Sequence, residues 1–165
     1  MTNEIPQSLA KDEADIHALI DGWARAVREE NRAEIRANHD AEMLMFDVPP
    51  PLFVRGLDGY MATWELFLSC SEKPVAFDFR DVKVTSGTDV AFATAIGHCV
   101  SRGKNGKREE LEFRLTMGFR KINGQWCVTH EHHSLPAEQT RIRLRRILHT
   151  ECRVLHIFAF REHLD

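Results

Sequence analysis

The dipeptide Asn123-Gly124, set between two runs of alternating apolar and polar residues, limits the folds open to this chain more than any other feature. Asn-Gly supplies the two positive φ values that a type I′ turn requires, and that turn matches the twist of paired strands. The spacing therefore predicts a hairpin, with a strand from about Arg108 to Arg120 leading in. Its second strand is stopped by Pro136, which has no N–H to give the ladder. With Ile122 facing Gln125, the register follows: Phe119 faces Val128, Met117 faces His130 and Leu115 faces His132. The opposite face then pairs Arg120 with Cys127, Thr116 with Glu131 and Arg114 with His133. One face is apolar except for His130 and His132; on the other, Arg114 and Glu131 are close enough diagonally to pair.

At 165 residues and 43% hydrophobic, the chain suits one domain with a real core. A net charge of −3 points to neither nucleic acid nor an anionic membrane as a partner. After Pro136 six arginines stand against four acids, a balance of +2, whereas the 16 basic and 21 acidic residues before it leave −5. Cys70, Cys99, Cys127 and Cys152 lie 25 to 29 residues apart, without the paired spacing of zinc or redox sites, and read as buried reduced thiols. Residues 1–15 are polar and acidic, and no apolar run approaches membrane-spanning length. The expectation is a cytoplasmic protein with no membrane partner.

In chain order, Ile16, Leu19, Ile20, Trp23, Ala24 and Val27 recur at helical spacing, so residues 9–30 are predicted helical, capped by Ser8 or Asp12. Asn31 with Glu34 resembles a capping box opening a short second helix that ends near His39. Met43 to Phe46 reads as a strand with Asp47 at its end, before the prolines at 49, 50 and 51 force an extended loop. Phe53 to Arg55 reads as a short strand, and Asp58 as the cap of a third helix carrying Tyr60, Met61, Trp64, Phe67 and Leu68. From residue 74 the period becomes two. Val75, Phe77 and Phe79 alternate with polar neighbours, a turn follows at Ser86-Gly87, and a long strand runs from Val90 to about Val100 before a turn at residues 103–106.

Helices followed by a run of strands imply an α+β architecture, with the helices on one face of a curved antiparallel sheet. The face assigned to the core carries Val90, Phe92, Ile96, Leu111, Phe113, Leu115, Met117, Phe119 and Val128. A cavity between such a sheet and a long helix has the apolar walls and few polar groups of a small-molecule site. The domain reads as complete at Pro136. That leaves residues 137–165 as an extension of unassigned role, read as a basic arm or a poorly ordered tail.

These features together resemble the SnoaL-like and ketosteroid-isomerase-like members of the nuclear transport factor 2-like superfamily, over roughly residues 10–136. The resemblance rests on the helix-helix-strand opening, on FDVPPPLFVRG before the tryptophan-bearing helix, on Arg114-x-Thr116, and on NGQWCVTHEHHSLP. The final H-x-H-x-S before proline is also similar to the end of the calmodulin-dependent kinase II association domain. What the resemblance implies is a cone-shaped fold and a pocketed, dimer-forming domain; the fold hosts enzymes, binding domains and assembly modules alike. Ketosteroid isomerase pairs an aspartate base with an oxyanion hole of a tyrosine and a protonated aspartate. Asp47 stands where that base ends the first strand, and Trp23 stands at the tyrosine's place. No aspartate falls on the apolar face of residues 108–120.

The candidate catalytic residues are thus Asp47, His130 and His132, with Trp23, Tyr60, Trp64, His98, Arg114 and Met117 as candidate ligand contacts. A carboxylate at the mouth of an apolar cavity gains basicity by desolvation; a turn aspartate bonded to nearby backbone is the structural alternative. His130 and His132, about 6 to 7 Å apart on one face, suit an acid–base shuttle, ligand hydrogen bonds or, with His98, a metal. The alternative is satisfied inner-face histidines, and no metal or cofactor is assigned. Arg114 either pairs with Glu131 outside or, turned inward by a bulge in the preceding strand, binds a ligand carboxylate. Two functions compete: a binder of a small hydrophobic molecule with isomerase, cyclase or hydratase chemistry, and a non-catalytic dimerisation or assembly module. A homodimer is expected in either case, because helices on one face leave the other open.

Overall fold

The computed structural model describes residues 7–102 and 107–136, so the turn at 103–106 and the C-terminal extension lie outside the described residues. In chain order the elements are α1 (Gln7–Arg28), α2 (Arg32–Arg36), β1 (His39–Phe46), β2 (Val54–Arg55), α3 (Leu57–Cys70), β3 (Phe77–Ser86), β4 (Val90–Arg102), β5 (Arg108–Ile122) and β6 (Gln125–Ser134). The strands form one sheet in the order β2-β1-β6-β5-β4-β3. Every neighbouring pair is antiparallel except β1 with β6, so the sheet is mixed.

Helical spacing on α1 brings Ile16, Ile20, Trp23, Ala24 and Val27 to one buried stripe, each large side chain contributing roughly 1.5–3 kcal/mol on burial. Trp23 stacks on Phe79 at 5.4 Å between ring centroids and meets Trp64 and Phe77 edge-on, which ties the helix to α3 and β3. Asp12 is not a cap; it accepts hydrogen bonds from Lys121 Nζ at 2.6 Å and Trp126 Nε1 at 3.1 Å, fastening α1 to the β5–β6 hairpin. Asn31 does cap α2, its side-chain oxygen accepting from Glu34 N at 3.3 Å. At the start of α3 the N-cap is Gly56, whose φ of +80° favours glycine. Asp58 instead pairs with Arg36 at 3.2 Å.

The sheet's inner face differs from the sequence reading in two strands. On β4 the residues turned inward are Ala91, Ala93, Ala95, Gly97 and Cys99, while Val90 and Phe92 are more than half and half exposed on the outer face, with Ile96. Small residues are needed there because they stand beside the large ones of β5: Ala91 opposite Phe119, Ala93 opposite Met117, Ala95 opposite Leu115 and Gly97 opposite Phe113. A Cβ on Gly97 would lie 2.2 Å from Phe113 Cζ. Hydrophobicity alone picks the wrong face where the core needs space rather than bulk.

The second difference is in the hairpin. Asn123 and Gly124 take φ values of +52° and +81°, and Ile122–Gln125, Arg120–Cys127 and Phe119–Val128 pair as the turn dictates. Between Phe119 and Gly118 the register shifts by one residue, so Gly118 faces His130, Met117 faces Glu131 and Leu115 faces His133. Thr129 is the extra residue of this β-bulge, and its hydroxyl donates to Gly118 O at 3.3 Å. A one-residue slip exchanges the two faces of a strand. Beyond the bulge Glu131 and His133 therefore point inward, and His130 and His132 point outward.

Candidate functional site

Two sequence features place the site. Met43 and Met45 bury their side chains from β1, so the strand delivers Asp47 at the edge of the core, where its Oδ1 accepts from Val48 N at 2.8 Å. The bulge in β6 brings His133 to the same point, with Nδ1 at 3.1 Å from Asp47 Oδ1. Both side chains are nearly buried, at 10% exposure for His133 and 16% for Asp47.

The pair opens on a cavity of about 70 Å³ lined by Met45, Val48, Pro49, Trp64, Phe67, Phe77, Leu111 and Phe113, with Thr63, Cys99 and Ser101 as further polar groups. By volume this holds roughly two water molecules, so a ligand filling it is small. Phe113 lies against the His133 ring at 5.2 Å. Burial pushes the His133 imidazole down, but the hydrogen bond and charge of Asp47 and the charge of Glu131 outweigh it, and the net shift is upward. Burial, reinforced by the Asp47 charge, pushes the Cys99 thiol up to about 12, which keeps it neutral.

Behind His133 lies a second polar cluster that the sequence reading did not foresee. Glu131 is 0% exposed, and an isolated buried carboxylate costs several kcal/mol. Its Oε1 is met by His39 Nε2 at 2.9 Å and accepts from the Tyr60 hydroxyl at 3.0 Å. His39 Nδ1 donates to Ala37 O at 2.8 Å, because a carbonyl only accepts. His39 Nε2 thus lies 2.9 Å from both Glu131 Oε1 and the Tyr60 hydroxyl oxygen. Burial raises the Tyr60 hydroxyl well above its usual value and the Glu131 charge adds to this, against the indole N–H groups of Trp64 and Trp23. Tyr60 is thus a donor. Glu131 Oε2 has no hydrogen bond and faces His133 Nε2, also unbonded, at 3.6 Å.

Of the residues singled out from sequence, Asp47 and Trp64 line the cavity. Tyr60 is in the buried cluster, while Trp23 and Met117 are core residues. His130 and His132 lie on the outer face, edge-on to Phe46 at 5.0 and 5.7 Å, and His130 Nδ1 donates to Leu44 O at 2.8 Å. The bulge is the reason that neither reaches the cavity. Arg114 stays outward, opposite Ile96 and Ser134, and donates to Leu135 O at 2.6 Å, so the expected pairing with Glu131 does not form. His98 faces outward too, 3.6 Å from Glu110. Among the described residues no three His, Cys, Asp or Glu side chains are arranged to hold a metal ion. Cys99 and Cys127 are free thiols, whereas Cys70 is disulfide-bonded, which corrects the reading of four reduced cysteines.

His133, Glu131 and His39 were missed as inner-face residues. The available signal was Gly118, since an isolated glycine within a strand pattern marks a bulge or a close approach. A Cβ there would come within 3.3 Å of His130 Cβ.

A family model described as a SnoaL-like domain matches residues 16–138. Among solved structures, an NTF2-like protein of unknown function from Pseudomonas putida KT2440 is 29% identical, with a TM-score of 0.71 over 79% of this chain and 91% of that one. A candidate ketosteroid isomerase from Shewanella frigidimarina is 22% identical, with a TM-score of 0.59 over 71% and 92%. The association domain of C. elegans CaMKII is 17% identical, with a TM-score of 0.62 over 79% and 100%. The last two likenesses are of fold alone. No curated protein matches the chain.

Proposed function

The chain belongs to the SnoaL-like domain family, and from that premise we propose that it binds a small, largely apolar molecule in the Asp47–His133 cavity and moves a proton on it. The observation that carries this reading is a hydrogen-bonded carboxylate and imidazole, both nearly buried, at an otherwise mostly apolar and aromatic cavity. Structural ion pairs are usually left on the surface, where they are worth little; one placed at a cavity can take or give a proton. Asp47 is the proton acceptor. Its Oδ1 is occupied by Val48 N and His133 Nδ1, which orients the carboxylate and leaves Oδ2 for the substrate. The reaction class is isomerisation, cyclisation or hydration of a small hydrophobic substrate, with no cofactor in the scheme.

Native mass spectrometry of the purified protein, followed by denaturing extraction, tests the binding half. A stoichiometric small apolar molecule that is lost on Trp64→Ala supports the reading. An empty protein that also binds none of a panel of small ketones contradicts it.

The proposal includes a homodimer. Val90, Phe92 and Phe46 are exposed on the outer face of the sheet, and burying them against a second copy removes that apolar surface from water.

A further inference from the structure

Resting on the acid–base reading of the Asp47–His133 cavity, we propose that Glu131 is a positioning residue that keeps His133 a doubly protonated imidazolium. The charged ring then stands beside the oxyanion that forms when Asp47 takes the substrate's proton. The geometry is a carboxylate at each end of one buried ring: Asp47 Oδ1 at 3.1 Å from Nδ1 and Glu131 Oε2 at 3.6 Å from Nε2. Asp47 fixes the proton on Nδ1. If Nε2 were bare, its lone pair would face a carboxylate oxygen in a buried site where neither atom has another partner. A proton on Nε2 turns that repulsion into attraction. Glu131 cannot turn away, because Oε1 is held by His39 and Tyr60.

The surrounding elements face this region with the following groups. From α3 the titratable neighbour is Tyr60, which stays protonated; from β4 it is Cys99, a neutral thiol. From β1 come Asp47 itself and His39, which meets Glu131 at Oε1, whereas it is Oε2 that faces the ring. From β5, Leu115 stands opposite His133 and Phe113 lies against its ring. The net upward shift of His133 agrees in direction with this arrangement.

The step balances. Asp47 Oδ2 takes a proton from carbon next to a carbonyl, the C–H electron pair becomes the enolate C=C, and the carbonyl π pair moves to oxygen. Asp47 is then neutral, and the positive charge of His133, until then offset by Asp47, acts on the oxyanion. Return of the proton from Asp47 to another carbon of the enolate completes an isomerisation.

Histidine-selective ¹⁵N NMR on the full chain tests this without turnover. The ring itself reports which carboxylate holds which proton, since Asp47 faces Nδ1 and Glu131 faces Nε2. The expected result is that both nitrogens of His133 are protonated at neutral pH, and that Glu131→Gln lowers its proton affinity at least tenfold. A bare Nε2 in the wild-type protein, or a titration unmoved in Glu131→Gln, overturns the proposal. If Glu131→Gln does not fold, the wild-type spectrum decides alone. A bare Nε2 would sink this inference even where Asp47→Asn abolishes turnover, and a protonated one would stand even if no substrate were turned over.

Discussion

Glu131 is the fully buried charged side chain of the described residues, and its loss has a large energetic consequence. It has no exposed surface, and removing it leaves the Tyr60 hydroxyl and His39 Nε2, 2.9 Å apart, only each other in place of the carboxylate that both now meet. Glu131→Ala is therefore expected to destabilise the fold by about 3–5 kcal/mol in urea unfolding, whereas His132→Ala on the outer face should cost under about 1 kcal/mol. His133 gives a signed pH dependence. A group whose folded pKa is raised adds stability that is full below its unfolded value of about 6.5 and is lost as pH rises through the folded value. The urea midpoint should thus fall as pH is raised from 6 through the mildly alkaline range, and Asp47→Asn should flatten that slope. Cys99, with its thiol pushed up to about 12, should resist alkylation in the native state under conditions where the more accessible Cys127 reacts. The place of Asp47, just past the end of β1, was legible in the sequence because a strand end before three prolines is a local signal. His133 and Glu131 were not, because their direction depends on one extra residue several positions away.

The β5–β6 hairpin shows how far local rules reach. Turn chemistry at Asn123-Gly124 sets Ile122–Gln125 through Phe119–Val128, and those pairs are the ones the arithmetic gives. Past Thr129 the register answers to the parallel contact with β1, where Leu44 pairs with His130 and Phe46 with His132, and no hairpin rule contains that strand. Deleting Thr129 would remove the bulge but keep this register, with His130 still opposite Gly118, Glu131 opposite Met117 and His133 opposite Leu115, whereas inserting one residue after His130 would turn Glu131 and His133 out. The expected result is cooperative thermal unfolding retained in the deletion and lost in the insertion, with near-ultraviolet circular dichroism collapsed. The faces of β4 were misread for a related reason: alanines and Gly97 supply the room that Phe113 and its neighbours fill. Gly97→Ala should accordingly cost about 1–3 kcal/mol by overpacking, despite being the mildest substitution available.

At the scale of the whole molecule, the order of helices and strands was legible because hydrophobic period changes from 3.6 to 2 near residue 74, and the α+β class follows from that alone. The parallel join of β1 to β6 was not legible, since it pairs segments about 90 residues apart and no turn sequence encodes it. The join builds the candidate site: it brings the end of β1, and so Asp47, beside His133. The open outer face is the other global feature. Phe92, half exposed there, becomes Asp in a variant that should sediment as a monomer if the sheet face forms the dimer, with the wild-type protein a dimer at micromolar concentration. For the site itself, the most direct measurement is proton exchange in D₂O on small enolisable ketones such as acetone, followed by NMR. The expected result is deuteration accelerated by the wild-type protein, reduced about 10²–10⁴-fold in Asp47→Asn, reduced likewise in His133→Asn, and unchanged in His132→Asn. Absence of exchange with the wild-type protein, or its loss in His132→Asn but not in His133→Asn, would contradict the assignment of the cavity as the reactive site.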